Sequence, residues 1–302
     1  MKTRVAAIDL GTNSTRLLVA DVKEGEIQEL ARDLQITGLG EGVDERRRLL
    51  PLPITRVRNV LTRFRRRIEE LGVERTLAVG TSAVRDAENG EAFLGEVKWS
   101  YGFETRMLSG EEEARLTFLG ATLGRDDAGV LVVDLGGGST ELVTAKDAIS
   151  TDLGSVRLTE RFGEDASASA DFVREHLPQL APERAIGVAG TITQLSALDL
   201  ELEEYDPERV EGHRLSLTSV ERLRDQLAGM SVEERAALPG FVPGRAPFIV
   251  TGATIVAEVL RGYGLDELEV SERDLLHAVA LKAAGLPPPA EAGVPPSAST
   301  CC

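Results

Sequence analysis

The chain is nearly without cysteine. Its 302 residues hold two, Cys301 and Cys302, side by side at the C-terminus. Adjacent cysteines form neither a disulfide framework nor a zinc site, so a stapled secreted scaffold is excluded and a reducing, cytoplasmic compartment is predicted. Aromatic residues make up only 4%, which leaves Leu, Val, Ala and Ile to fill the core. No apolar run approaches the roughly 20 residues a membrane helix needs. The opening Met1-Lys2-Thr3-Arg4 lacks the apolar segment of a signal peptide. No membrane partner is expected. Basic residues are outnumbered, with 34 Lys and Arg against 50 Asp and Glu, a net charge of −16. Such a balance argues against nucleic acid as a partner. The deficit is uneven, because residues 1–75 carry 15 basic and 12 acidic side chains. Arg46, Arg47, Arg48, Arg63, Arg65, Arg66 and Arg67 crowd that stretch. They make either a solvated helix face or a local cationic surface for a polyanion.

What the chain does have is an internal repeat. Val5–Val19 reads as a buried strand, then Asp9-Leu10-Gly11-Thr12-Asn13-Ser14, then a second strand; Val130–Val143 repeats this around Asp134-Leu135-Gly136-Gly137-Gly138-Ser139-Thr140-Glu141. Two copies of a strand–turn–strand signal predict two domains with related cores. Residues 1–124 form the first, 125–286 the second, and the Pro-, Ala- and Ser-rich residues 287–302 a disordered tail. Ile54, Val57, Val60, Leu61, Phe64, Ile68 and Leu71 recur at helical spacing, with Gly72 as C-cap. Ser109-Gly110-Glu111-Glu112 is a capping box opening a second helix. Strands are expected at 76–79, 185–189 and 248–250, each followed by a glycine and a helix, and a last helix over 272–284.

The two Asp-Leu-Gly turns suit phosphate, since glycines let several backbone N–H groups converge on one anion. The expected phosphate contacts are Gly11, Thr12, Asn13, Ser14, Gly136, Gly137, Gly138 and Ser139, with Thr81 and Ser82 from Gly80-Thr81-Ser82-Ala83 and Gly190 with Thr191 from a further turn. Asp9, Asp134 and Glu141 would stand beside a polyanion, which hard carboxylate ligands tolerate through magnesium; Mg2+ is therefore the expected cofactor. Arg85 could stabilise charge during transfer. Glu111, Glu112 and Glu113 open a helix, and one of them could serve as a general base; spacing alone does not choose.

These segments, with Ser109-Gly-Glu-Glu-Glu-Ala-Arg115 and Val270-Ser-Glu272, resemble the exopolyphosphatase and guanosine pentaphosphate phosphohydrolase family over about residues 5 to 285. The resemblance implies an α/β protein of two ribonuclease-H-like, actin-like ATPase domains flanking a central cleft. It implies hydrolysis of the terminal phosphoanhydride of polyphosphate or pppGpp, and a homodimer. It places the base on Glu113, before Ala114-Arg115, its acidic partners on Asp134 and Glu141, and Arg85 near the transferred phosphate. At a helix N-terminus the Glu113 carboxylate is expected to have a low pKa. Many relatives carry a further helical C-terminal region, whose lack here implies a preference for short chains. A family run of Arg-Ala-Asp reads Arg245-Ala246-Pro247 here. Two alternatives share the fold: a small-molecule kinase, which would not need Glu113, and a nucleotide-binding regulatory protein without hydrolysis.

Overall fold

A computed structural model describes residues 2–163 and 165–286; the tail expected over 287–302 lies outside them. Eleven strands run in chain order: β1 (Thr3–Leu10), β2 (Ser14–Lys23), β3 (Glu26–Ile36), β4 (Arg75–Gly80), β5 (Glu104–Met107), β6 (Val130–Leu135), β7 (Thr140–Val143), β8 (Ala148–Thr151), β9 (Arg184–Val188), β10 (Arg214–Ser216) and β11 (Glu267–Val270). They form two sheets, ordered β3-β2-β1-β4-β5 and β8-β7-β6-β9-β11-β10. Read this way the sheets match. In each, three antiparallel strands from the repeated motif are followed by two parallel ones, and β10 adds an antiparallel edge to the second. The repeat seen in the sequence is therefore a repeat of topology, in two α/β halves of the actin-like ATPase fold.

The helices are α1 (Val43–Arg46), α2 (Pro51–Glu70), α3 (Ser82–Asp86), α4 (Gly90–Tyr101), α5 (Gly110–Thr122), α6 (Ser155–Phe162), α7 (Ala166–His176), α8 (Ala189–Asp199), α9 (Pro207–Val210), α10 (Leu217–Ala228), α11 (Val232–Ala236), α12 (Ile249–Tyr263) and α13 (Leu275–Ala284). Helix α2 follows its pattern. Pro51, whose fixed φ suits the first turn, opens it, and Val57, Val60, Leu61, Phe64 and Ile68 bury one stripe. Gly72 takes the left-handed conformation, at φ 64°, that a side chain resists.

One expected strand is absent. Residues 248–250 were assigned to a strand ahead of Gly252, yet Ile249 already begins α12, a helix buried along most of its length. A short β-branched apolar run reads alike in a buried strand and a buried helix. Another departure concerns packing. Helix α13 lies on the first sheet, where Leu275, Leu276, Val279 and Ala283 meet Val5, Ala7, Leu18 and Val79. Helix α5 turns Ala114 and Ala121 towards Val130, Val132 and Val188 of the second sheet and Leu116 towards the first. The two helices are thus shared between the halves and floor the space between them. None of the helices among the described residues is long and apolar enough to cross a membrane.

Candidate active site

Both repeated hairpins bring their Asp to the end of an inner strand, where a side chain must leave the sheet into the space between the halves. A cleft opens there. Asp9, Gly11–Ser14, Thr81, Ser82, Glu113, Asp134, Gly136–Ser139, Glu141, Gly190 and Thr191 all line it. The residues singled out in the sequence are thus gathered in one place, apart from Arg85. That side chain does not line the cleft; its guanidinium donates to Glu113 Oε2 at 2.8 Å and to the Leu108 carbonyl at 3.1 Å. The arginines of 46–48 and 63–67 are exposed and none lines the cleft; Arg65 and Arg67 pair with Glu69 and Glu70 along α2.

The two glycine turns are held in the same manner. Each closes with a bond from its first glycine, Gly11 N to Ser14 O and Gly136 N to Ser139 O, both 3.0 Å. Their carbonyls are then taken from behind. Gly40 N donates to Thr12 O, and Thr37 and Gly38 donate to Asn13 O. In the second turn the first amides of α6 donate to Gly136 O and Gly137 O, and Arg157 Nε donates to Gly138 O at 2.6 Å. In a trans peptide the C=O and the following N–H point in opposite directions. Anchoring these carbonyls therefore aims the N–H groups of Asn13 and Ser14, and of Gly137, Gly138 and Ser139, at the cleft side. The turns also abut: a Cβ on Gly138 would lie 2.5 Å from Ser82 Oγ and 2.8 Å from Thr12 Oγ1. Only glycine fits this approach.

The structure separates the three glutamates that open α5. Glu111 faces solvent and pairs with Arg115 at 2.8 Å. Glu112 closes the capping box, accepting from Ser109 N at 3.0 Å while its own N donates to Ser109 Oγ. Glu113 alone is buried, 6% exposed, and reaches the cleft. The low pKa expected for it is overturned. Burial pushes Glu113 up to about 8; Arg85 pulls the other way, and the neighbouring Asp134 and Asp9 add to the rise. The helix terminus and one arginine do not outweigh desolvation and two like charges.

The other acids obey the same balance. Burial raises Asp134 to about 6 against the pull of Arg16 and of Thr117, whose Oγ1 donates to Oδ2 at 2.9 Å. Burial also pushes Glu141 well up, helped by Glu113 and Asp134, despite a bond from Ser150 Oγ at 2.7 Å. Asp9 is raised by burial in spite of Arg16, which donates to its Oδ2 at 2.8 and 3.0 Å; Asp9 Oδ1 is buried with no partner. No three acidic, His or Cys side chains among the described residues converge closely enough to hold a metal ion unaided.

Sequence reasoning missed Arg16 and Asp274, and noted Arg245 only as part of a departure from the family's Arg-Ala-Asp run. Arg16 lines the cleft and bridges Asp9 to Asp274. Burial opposes its charge, but Asp274, Asp9 and Asp134 together raise its pKa. Asp274 caps α13 and is held well below the carboxylate range, with Arg16 and His277 outweighing its burial. Arg245 lies on the cleft wall against Gly190. One signal for Arg16 was available: it occupies the position in the first repeat that Glu141 holds in the second. Nothing local marked Asp274, which lies 258 residues from its partner.

Matched sheets, a shared pair of helices and one cleft between glycine turns define a two-domain protein of the actin-like ATPase fold. Among such proteins the chain belongs to the Ppx/GppA phosphatase family, whose model matches residues 18–285. It is 39% identical to exopolyphosphatase 2 of Mycobacterium tuberculosis, over 94% of this chain and 99% of that one. The structure resembles the Aquifex aeolicus Ppx/GppA family member, with a TM-score of 0.78, 32% identity, and coverage of 94% and 98%. It also resembles an exopolyphosphatase from Cytophaga hutchinsonii, with a TM-score of 0.84, 26% identity, and coverage of 94% and 99%.

Proposed function

We propose that the protein hydrolyses the terminal phosphoanhydride of inorganic polyphosphate, with pppGpp as the other candidate, and releases orthophosphate. The observation that carries this is Glu113. It is a buried carboxylate in a cleft whose other walls are two glycine turns with their amides aimed inward. Those amides and the Arg16 guanidinium suit the bridging and terminal phosphate oxygens, and they absorb the charge that develops on the leaving chain. Glu113, once ionised, orients a water for in-line attack on the terminal phosphorus and accepts its proton. Arg85 holds the Glu113 carboxylate in place from outside the cleft.

Magnesium belongs to this reading. The donors available are hard carboxylate oxygens, and Asp9 Oδ1 is buried and unpartnered. An ion held by one or two carboxylates, with phosphate oxygens and water completing its shell, needs no three-acid cage. Asp9, Asp134 and Glu141 are the candidates for those one or two carboxylates, and when bound the ion would neutralise charge on the substrate phosphates. The preference for short chains is part of the proposal, because Arg16 and Arg245 are the basic side chains lining the cleft and they match few phosphates.

Orthophosphate release from polyphosphate of defined lengths, beside pppGpp and ATP, tests the reading. Turnover of polyphosphate or pppGpp that EDTA abolishes and magnesium restores is the expected result, with kcat/KM flat or falling towards long chains. Turnover unaffected by EDTA would remove the metal, and a steep rise for chains of hundreds of units would remove the short-chain preference. Phosphate transfer from ATP to a sugar, with no hydrolysis of either anhydride, would remove the whole reading.

A further inference from the structure

Arg157 makes contacts that the reaction above does not use. It sits in the first turn of α6, 11% exposed, and its guanidinium reaches in three directions. Nε donates to the Gly138 carbonyl at 2.6 Å. Nη1 pairs with Asp44 of α1, and Nη2 with Asp86 of α3. Asp44 and Asp86 belong to the half built on the first sheet; Gly138 and α6 belong to the other. One turn further along the same helix face, Glu160 Oε1 accepts from Gly42 N at 3.0 Å, again across the cleft.

We propose that Arg157 is a positioning residue that couples closure of the cleft to the aim of the second glycine turn. The inference rests on the reading of that turn as a phosphate site. The linkage runs through one planar group. Carboxylates on the first half orient the guanidinium, and the guanidinium fixes the Gly138 carbonyl. That carbonyl fixes the peptide plane and thereby the Ser139 N–H on its far side. Arginine suits the post because its rigid fork serves a carbonyl and two carboxylates at once, which a lysine ammonium does not. Gly154 permits the arrangement, since a Cβ there would lie 2.3 Å from Gly137 O; α6 can thus seat its first turn directly on the turn it holds. When the halves part, Asp44 and Asp86 withdraw, and Arg157 keeps its bond to Gly138 and its ion pair with Asp152 of its own half. The Ser139 donor is therefore locked in the closed form and loosened in the open one.

Three variants test this: Arg157→Ala, Arg157→Lys, and the double Asp44→Asn/Asp86→Asn. The readouts are kcat and KM for polyphosphate, amide exchange over residues 136–139, and thermal unfolding. A donor misplaced by about an ångström costs on the order of 100-fold. Arg157→Ala should therefore lower kcat by about 10- to 100-fold and speed exchange in the turn, while exchange in β1 and β6 stays as in the parent. The double variant, which keeps the bond to Gly138, should show a smaller loss with faster exchange over both 136–139 and 40–44. Lysine should restore only part of the loss. Parental kcat and parental exchange in Arg157→Ala would overturn the proposal, as would faster exchange spread evenly over the whole chain. Should Arg157→Ala fail to fold, parental exchange in the double variant overturns it. If the parent hydrolyses neither polyphosphate nor pppGpp, the functional reading fails, and the exchange comparison still decides the coupling.

Discussion

The two hairpins that face each other across the cleft share a backbone and differ in charge. In the first, Asp9 stands opposite Arg16 across β1 and β2; in the second, Asp134 stands opposite Glu141 across β6 and β7. The first hairpin therefore neutralises itself, and Arg16 also reaches Asp274. The second places two carboxylates side by side and has Glu113 as a neighbour, all three buried. Desolvation raises all three pKa values; Asp134 and Asp9 add to the rise of Glu113, and Glu113 and Asp134 to that of Glu141. One duplicated motif has thus become a charge-balanced wall carrying Arg16 and an acidic wall carrying Asp134 and Glu141, with Glu113 beside it. The loop geometry was retained and a single strand position changed sign.

The largest effect should come from the acidic wall. Glu113→Gln keeps the shape and removes the base, so kcat should fall by roughly 10²–10⁴-fold, the usual contribution of a general base. Binding should hold near neutral pH and tighten above about pH 8, where the parent's Glu113 carries its charge beside the polyanion. Glu112→Gln is the contrast: glutamine keeps the capping box on the same helix turn and loses only the exposed ion pair with Arg106, so it should cost less than about 1 kcal/mol of stability with little change in kcat. Steady-state rates with both proteins, alongside their thermal midpoints, check the pair. A kcat lost in Glu112→Gln and kept in Glu113→Gln would reverse the assignment.

Next in size is the wall that carries Arg16. Arg16→Met removes the side chain that makes the two hairpins differ. A charged hydrogen bond is worth roughly 1.5–3 kcal/mol, so kcat/KM should drop on the order of 10- to 100-fold, mostly through KM. Asp9 and Asp134 lose the cation that holds their pKa values down, so they should titrate higher, which carboxyl NMR would show. An unchanged KM would mean that Arg16 serves the carboxylates alone.

The smallest effect is on stability. Glu141 titrates above its ordinary 4.5 in the fold because burial disfavours its charge. A carboxyl whose folded pKa exceeds its unfolded value binds protons more tightly when folded, so stability falls as pH rises from the unfolded value through the folded one. In EDTA, Glu141→Gln should therefore melt a few degrees above the parent at neutral pH, and the difference should vanish below about pH 4. A variant that melts lower at every pH would contradict the cost assigned to this charge.

Much of this was legible in the sequence because the signals were local. The Asp-Leu-Gly turns and the Ser109–Glu112 box carry their geometry in consecutive residues, and the doubled motif announced the doubled sheet. What was hidden depends on residues far apart. The seat of α13 on the first sheet, the Arg16–Asp274 pair and the clasp of Arg157 on Asp44 and Asp86 are each contacts over tens to hundreds of positions. The ionisation of Glu113 was misjudged for a related reason. A helix terminus can be read from sequence, whereas its effect is set against burial and neighbouring charges that only the fold assembles. Residues 248–250 failed on a different ground, since periodicity does not tell a short buried strand from the first turn of a buried helix.

The central claim is that the acidic hairpin raises the pKa of the base that it faces. The pH dependence of kcat/KM for polyphosphate tests it most directly, because that ratio reports the free enzyme's essential groups. In the proposed reaction ionised Glu113 is the active form, and burial pushes its pKa up to about 8, so kcat/KM should climb about tenfold per pH unit below that value and level off above it. Asp134→Asn, which removes a neighbouring negative charge that helps raise Glu113, should move the rise towards lower pH. A profile flat between pH 5 and 8, or one that the Asp134 substitution leaves in place, would contradict the account.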